Sequence, residues 1–138
     1  MKELKNLNLQ KAESPAKCIY KNRLGKTGEL LAKEFLLEAG YTFIKANYRF
    51  ERAEADLIFT DEYKKEIIFV EVKTRRSKKF GEGEESVDEK KQAQIRKAAE
   101  GFLFENQNYT NYQIRLDVIV VYLINNQKNI VHLKNAFY

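Results

Sequence analysis

Two periodicities alternate along the chain. A period near 3.6 runs from Leu30 to Gly40, where Ala32, Phe35, Leu36 and Ala39 form one apolar stripe. Gly25-Lys26-Thr27-Gly28-Glu29 leads into it, with Thr27 as the expected N-cap and Gly40 as the expected residue just past the end. Stepping back along the stripe by three from Ala32 and by seven from Leu36 lands on Glu29, so this acid is expected to lean toward the core. The same period returns in Val87, Ile95, Ala98, Ala99 and Phe102, a helix running through Phe104. Ser86-Val87-Asp88-Glu89 opens it with the pattern of a capping box. Lys91 lies four residues from both Val87 and Ile95, filling a gap in the stripe, and is expected to point inward beside Gln94.

Elsewhere the period shortens to two or gives way to short apolar runs, which predict strands. Tyr41–Phe50 alternates loosely and is followed by the charged turn Glu51-Arg52-Ala53. Glu54–Phe59 is a short apolar strand that begins with Asp56, and the polar connection Thr60–Lys65 separates it from Lys65–Arg75. Ile, Phe and Val dominate that next run, as in a strand buried on both faces. A turn-rich stretch, Asn106–Asn111, precedes a long central-looking strand at Ile114–Leu123. The loop Asn125–Asn129 then leads to Ile130–Phe137, a short strand or irregular tail. The order of helix, three strands, helix, strand and one further strand predicts an α/β or α+β sheet flanked by helices. Residues 1–20 read as a flexible basic arm, and residues 21–138 as one domain. Phe80–Glu85 reads as a mobile loop.

Composition narrows the chemistry. Cys18 and His132 are each the only residue of their kind, which excludes an internal disulfide and a cysteine-based zinc site. A formal charge of +5 is a modest basic bias that suggests a polyanionic partner, although many basic proteins bind no nucleic acid. Neither a signal peptide nor a run of about 18 apolar residues is present, so the expectation is a soluble, cytoplasmic protein with no membrane contact.

The apolar run Ile67–Val72 ends in an acid and a base two residues apart. Side chains two apart on a strand share a face, which puts Glu71 and Lys73 together where the strand leaves the core. Burying an unpaired ion costs several kcal/mol, so such a pair needs partners, a metal or a substrate. Pairing the two strands brings Asp56 near Glu71. Asp56, Glu71 and the Val72 carbonyl are hard oxygen donors of the kind Mg²⁺ or Mn²⁺ takes beside water and phosphate. Lys73 supplies the fixed charge that phosphodiester hydrolysis needs. Arg75, Arg76, Lys78 and Lys79, with Lys91 and Gln94, are the candidate nucleic-acid contacts. Asp117 is expected to orient a basic side chain such as Lys91 or to cap a strand end. The plainer alternative for Glu71 and Lys73 is a surface ion pair at a strand end.

A resemblance runs from about Tyr20 to Phe137. It is carried by Gly25-Lys26-Thr27-Gly28-Glu29, Ala46-Asn47-Tyr48-Arg49, Glu54-Ala55-Asp56-Leu57-Ile58, Phe69-Val70-Glu71-Val72-Lys73-Thr74-Arg75, Val87 with Lys91, Arg115-Leu116-Asp117-Val118 and Asn135-Ala136-Phe137. These resemble the bacterial YraN-like family, UPF0102, which is similar to archaeal Holliday junction resolvases and to the restriction-endonuclease-like superfamily. The resemblance implies a restriction-endonuclease-like mixed central β-sheet flanked by helices. It implies Asp56, Glu71 and Lys73 as the D...ExK set and Glu29 as an extra helix carboxylate. Members usually carry Gly-Glu-Ile-Asp where this chain has Ala53-Glu54-Ala55-Asp56, and since alanine disfavours φ > 0 a different turn is expected before Asp56. The expected function is a Mg²⁺- or Mn²⁺-dependent endonuclease acting on DNA, branched DNA included, with a homodimer as one open arrangement. The alternatives are a DNA-binding module of a repair or recombination assembly with little turnover, and a structural interaction domain.

Overall fold

A computed structural model describes the backbone of residues 16–76 and 87–137, with side chains from residue 25. The arm up to residue 15, Lys78, Lys79 and the Phe80–Glu85 loop lie outside the described residues. Helix α1 (Ala16–Glu38) precedes three strands, β1 (Thr42–Phe50), β2 (Ala53–Asp61) and β3 (Glu66–Arg75). Helix α2 (Glu89–Glu105), a short 3-10 turn at Gln107–Tyr109, β4 (Gln113–Ile124) and β5 (Gln127–Phe137) follow. The strands lie in sequence order in one five-stranded sheet. Only β3 and β4 run parallel, joined by the crossover that contains α2, while the other neighbours are antiparallel. This is a mixed sheet between two helices, an α/β fold.

Each helix covers one face. Ala32 and Leu36 of α1 pack with Leu57, Phe59, Ile68, Val70, Ile119 and Val121. Ile95, Ala98, Ala99 and Phe102 of α2 pack with Ile58, Ile67, Phe69, Val118 and Val120. Strands β3 and β4 are therefore buried on both faces, as their continuous apolar runs required. Both helices dock through a glycine. A Cβ on Gly28 would stand 1.9 Å from Thr74 Oγ1, and one on Gly101 would stand 2.2 Å from the Phe50 ring. The first contact pins α1 to the end of β3 and carries Glu29, one residue on, to the mouth of the sheet.

Several element ends differ from expectation. Helix α1 begins at Ala16, inside the stretch read as an arm, so Thr27 is no cap. Two glycines in four residues read as an entry turn, although Gly28 is a packing contact within the helix. Its far end is as expected. Gly40 has φ +99, and the N–H groups of Gly40 and Tyr41 donate to the carbonyls of Leu37 and Leu36, closing a Schellman motif. Ala39, placed in the apolar stripe by its spacing, is exposed because the helix ends there. Helix α2 is capped by Asp88 rather than Ser86, its carboxylate accepting from Lys91 N–H at 2.8 Å. The loop before β5 shrinks to Asn125 and Asn126, both left-handed, a two-residue turn whose twist matches the flanking strands. Before β2 the left-handed residue is Glu51, φ 56, so Ala53 is spared a strained backbone and lies buried under α2.

Asp117, fully buried on β4, does not meet Lys91. Successive side chains alternate faces, and Asp117 shares the α1 face with Ile119, whereas Lys91 belongs to α2. Its carboxylate accepts from Arg115 Nη2 at 2.8 Å and Nε at 3.0 Å, from the Asn135 N–H at 2.9 Å, and pairs with His132 Nε2 at 2.7 Å. Arg115 also reaches Glu66 at 2.8 Å and the Tyr41 hydroxyl at 3.2 Å. Burial alone would raise the Asp117 pKa, but the His132, Arg115 and Asn135 hydrogen bonds outweigh it and hold it below the ordinary value. The network ties β3, β4, β5 and the turn between α1 and β1 together.

Candidate active site

The site forms where β2 and β3 part. Their ladder ends at Leu57↔Val70, and beyond it the Val72 N–H donates to Asp56 Oδ2 at 2.8 Å instead of to a strand carbonyl. Asp56 therefore lies in the gap between the strands. The side-chain alternation of β2 also breaks there, since Ala55 packs on the α2 face and Leu57, two residues on, packs on the α1 face.

The expected residues approach Asp56 from both faces of the sheet. Glu71 continues the α2 face of Ile67 and Phe69 and is only 5% exposed. Its Oε2 lies 3.6 Å from Lys91 Nζ, while Oε1 is buried with no hydrogen-bond partner, the one such side-chain atom among the described residues. A cleft of about 340 Å³ on this face is lined by Glu71, Lys73, Lys91 and Gln94, with Asp88 and Lys90 in addition. Glu29 comes from the α1 face and is partly buried, its Oε1 accepting from Asn47 Nδ2 at 3.1 Å. Arg75 is partly buried, its Nη1 on the Thr74 carbonyl at 3.3 Å, and Arg76 is exposed. Neither lines the cleft.

The charges interact strongly. Burial pushes Asp56 from 3.8 up to about 7, helped by the Glu71 and Glu29 charges and opposed by the Val72 N–H and Lys91. Glu71 is raised as well, by burial, against the pull of Lys91 and Lys73. Lys73 is lowered by burial, with the Arg75 and Lys91 charges adding and those of Glu71 and Asp56 opposing. Two carboxylates raised by burial and an ammonium group lowered by it do not form a solvated surface ion pair.

The donor set suits a hard divalent cation. Glu71 Oε1 lacks a donor, Asp56 has engaged only one oxygen in the hydrogen bond to Val72, and no sulfur or imidazole stands among these side chains. Among the described residues no three acidic, histidine or cysteine side chains gather closely enough to enclose an ion alone. A cation here would thus lean on two carboxylates, main chain, water and substrate, which is how Mg²⁺ is commonly held.

Sequence reasoning missed Asn47, Asp88 and Lys90. Asn47 carried one signal: an asparagine inside a strand is a residue that tolerates φ > 0. No described helix is long and apolar enough to cross a membrane. Known proteins fix the lineage. The family described as uncharacterised protein family UPF0102 matches residues 28–121. A UPF0102 protein of Natranaerobius thermophilus is 47% identical over 117 residues, covering 82% of this chain and 95% of the relative. One from Clostridioides difficile is 44% identical over 113 residues, covering 82% and 95%. One from Caldicellulosiruptor bescii is 41% identical over 117 residues, covering 83% and 97%. With the match covering Glu29 and the strands that carry Asp56, Glu71 and Lys73, the chain belongs to the UPF0102 family.

Proposed function

We propose that the protein is a divalent-metal-dependent DNA endonuclease of the restriction-endonuclease-like kind, with branched DNA among its substrates. The observation that carries this reading is the buried, unpartnered Glu71 Oε1 beside the raised Asp56 carboxyl and the lowered Lys73 ammonium. Asp56, Glu71 and the Val72 carbonyl would hold Mg²⁺ or Mn²⁺, with Glu29 beside them. Bound there, the ion would polarise the scissile phosphate and acidify an attacking water. Lys73 places a positive charge on the same strand face as Glu71, where charge grows on the phosphate during displacement. Lys91 and Gln94 line the same cleft as Glu71 and would hold phosphate oxygens once Glu71 turns to the cation. Arg75 and Arg76, with Lys78 and Lys79, would extend the basic surface along the backbone of the duplex.

Supercoiled plasmid and four-way junction DNA, incubated with Mg²⁺ or Mn²⁺, test the proposal. Wild type should cut one or both, and Lys73→Ala should slow single-turnover cleavage at saturating protein by about 10²–10³-fold, the scale of losing one transition-state contact. DNA binding without metal-dependent cleavage would favour the binding-module reading instead. Equal cleavage by Lys73→Ala and wild type would indicate a contaminating nuclease.

A further inference from the structure

Asn47 has a backbone that its place in β1 does not explain. Of the non-glycine residues described with left-handed φ, Glu51, Lys65, Asn125 and Asn126 lie in hairpin turns, whereas Asn47 (φ 52) and Asn135 (φ 54) lie inside strands. A left-handed residue in a strand costs energy even for asparagine, so it persists only where surrounding structure demands it. At Asn135 the demand is visible: its N–H reaches the buried Asp117 carboxylate at 2.9 Å. At Asn47 the strand register supplies the parallel. Ala46 pairs with Leu57 and Tyr48 with Ala55, which sets Asn47 across from Asp56. Asn47 thus stands at the level where β2 breaks its alternation and the strands part. Its side chain turns to α1 and donates to Glu29 Oε1 at 3.1 Å.

We propose that Asn47 is a positioning residue for the cation site: its left-handed backbone, set opposite Asp56, aims its amide at Glu29 and holds that carboxylate beside Asp56 at the mouth of the sheet. The proposal rests on the reading of Asp56 and Glu71 as a divalent-cation site. Gly28 fixes where α1 meets β3, yet Glu29 can still rotate about its own side-chain bonds. The amide of Asn47 restrains that rotation. Carboxylates that ligate a metal are commonly oriented by such an outer hydrogen bond, whose loss costs roughly 10–100-fold in metal affinity, and the lower end of that range is expected where the carboxylate stands beside the two that bind.

Two substitutions separate the amide from the backbone. Asn47→Gly keeps the left-handed conformation at no steric cost and deletes the donor, while Asn47→Asp keeps tolerance of that conformation and turns a carboxylate toward Glu29. With Mn²⁺ as the calorimetric probe, Asn47→Gly should weaken binding about 10-fold, and Asn47→Asp at least as much. In a Glu29→Gln background Asn47→Gly should add little, because the group it positions is already neutral. A purely structural role would show additive losses instead, and additivity or unchanged Mn²⁺ affinity overturns the proposal. A contact test needs no metal: the Asn47 side-chain amide resonances should move in Glu29→Ala and stay put in Glu34→Ala, and resonances indifferent to Glu29 overturn it too. Wild type that binds no Mn²⁺ overturns the cation reading and this proposal with it, whereas wild type that binds as tightly as Asn47→Gly overturns the proposal alone.

Discussion

Replacing Asp56 with asparagine should make the metal-free protein more stable, and only above acidic pH. Asp56 has a higher pKa folded, about 7, than its ordinary 3.8, so the native state binds the proton more tightly than the unfolded chain. Its stabilising contribution is complete below pH 3.8 and is lost as pH rises through about 7. At pH 8 the ionised carboxylate in its gap costs roughly 2–4 kcal/mol, and asparagine avoids that cost while still accepting the Val72 N–H. In chelator, the melting temperature of Asp56→Asn at pH 8 should exceed that of wild type by roughly 5–10 °C, with the gap closing toward pH 4. Such a gain would be the trade of stability against function expected if Asp56 serves a site. A variant less stable than wild type at pH 8 would mean that the carboxylate supports the fold.

Asp117→Ala should act in the opposite sense. Here the carboxylate is held by Arg115, His132 and the Asn135 N–H, and its removal leaves the Arg115 guanidinium buried with Glu66 as its remaining ion-pair partner. Breaking a buried pair by deleting one member costs about 3–5 kcal/mol, a large share of the roughly 5–15 kcal/mol that holds a domain together. Urea denaturation should register that loss at neutral pH. Asp117→Asn, which still accepts hydrogen bonds, should lose less. A cost below about 1 kcal/mol would place this network with solvated surface pairs. Asp56 and Asp117 are thus two buried aspartates with contrary physics: one is short of donors, the other is saturated with them.

The strands and the helix faces were legible because burial leaves a direct mark on sequence. Continuous apolar runs marked β3 and β4, and the gap that Lys91 fills in an apolar stripe pointed it inward, though not to Glu71, the partner it meets there. Glu29 was legible by the same stepping. The start of α1 was hidden because Gly25 and Gly28 punctuate a helix that tertiary packing sustains. The partner of Asp117 was hidden because Arg115 shares its strand and His132 and Asn135 are supplied by β5, a pairing that no local pattern encodes. The approach of Glu29 and Glu71 from opposite faces was hidden too, since it depends on β2 and β3 separating beyond Leu57 and Val70. Within the chain, spacing identifies who can share a face, but not where a ladder opens.

The most direct measurement of the central claim, that the gap between β2 and β3 is a divalent-cation site, is a calorimetric titration of Mn²⁺ into wild type, Asp56→Asn and Asp61→Asn. Asp61 is a fair control, since its carboxylate accepts from the Tyr63 and Lys64 N–H groups in an exposed turn at the other end of β2. Wild type and Asp61→Asn should bind one ion with equal affinity, and Asp56→Asn should bind at least about 10-fold more weakly. Equal affinity in all three proteins, or equal losses in both variants, would contradict the site.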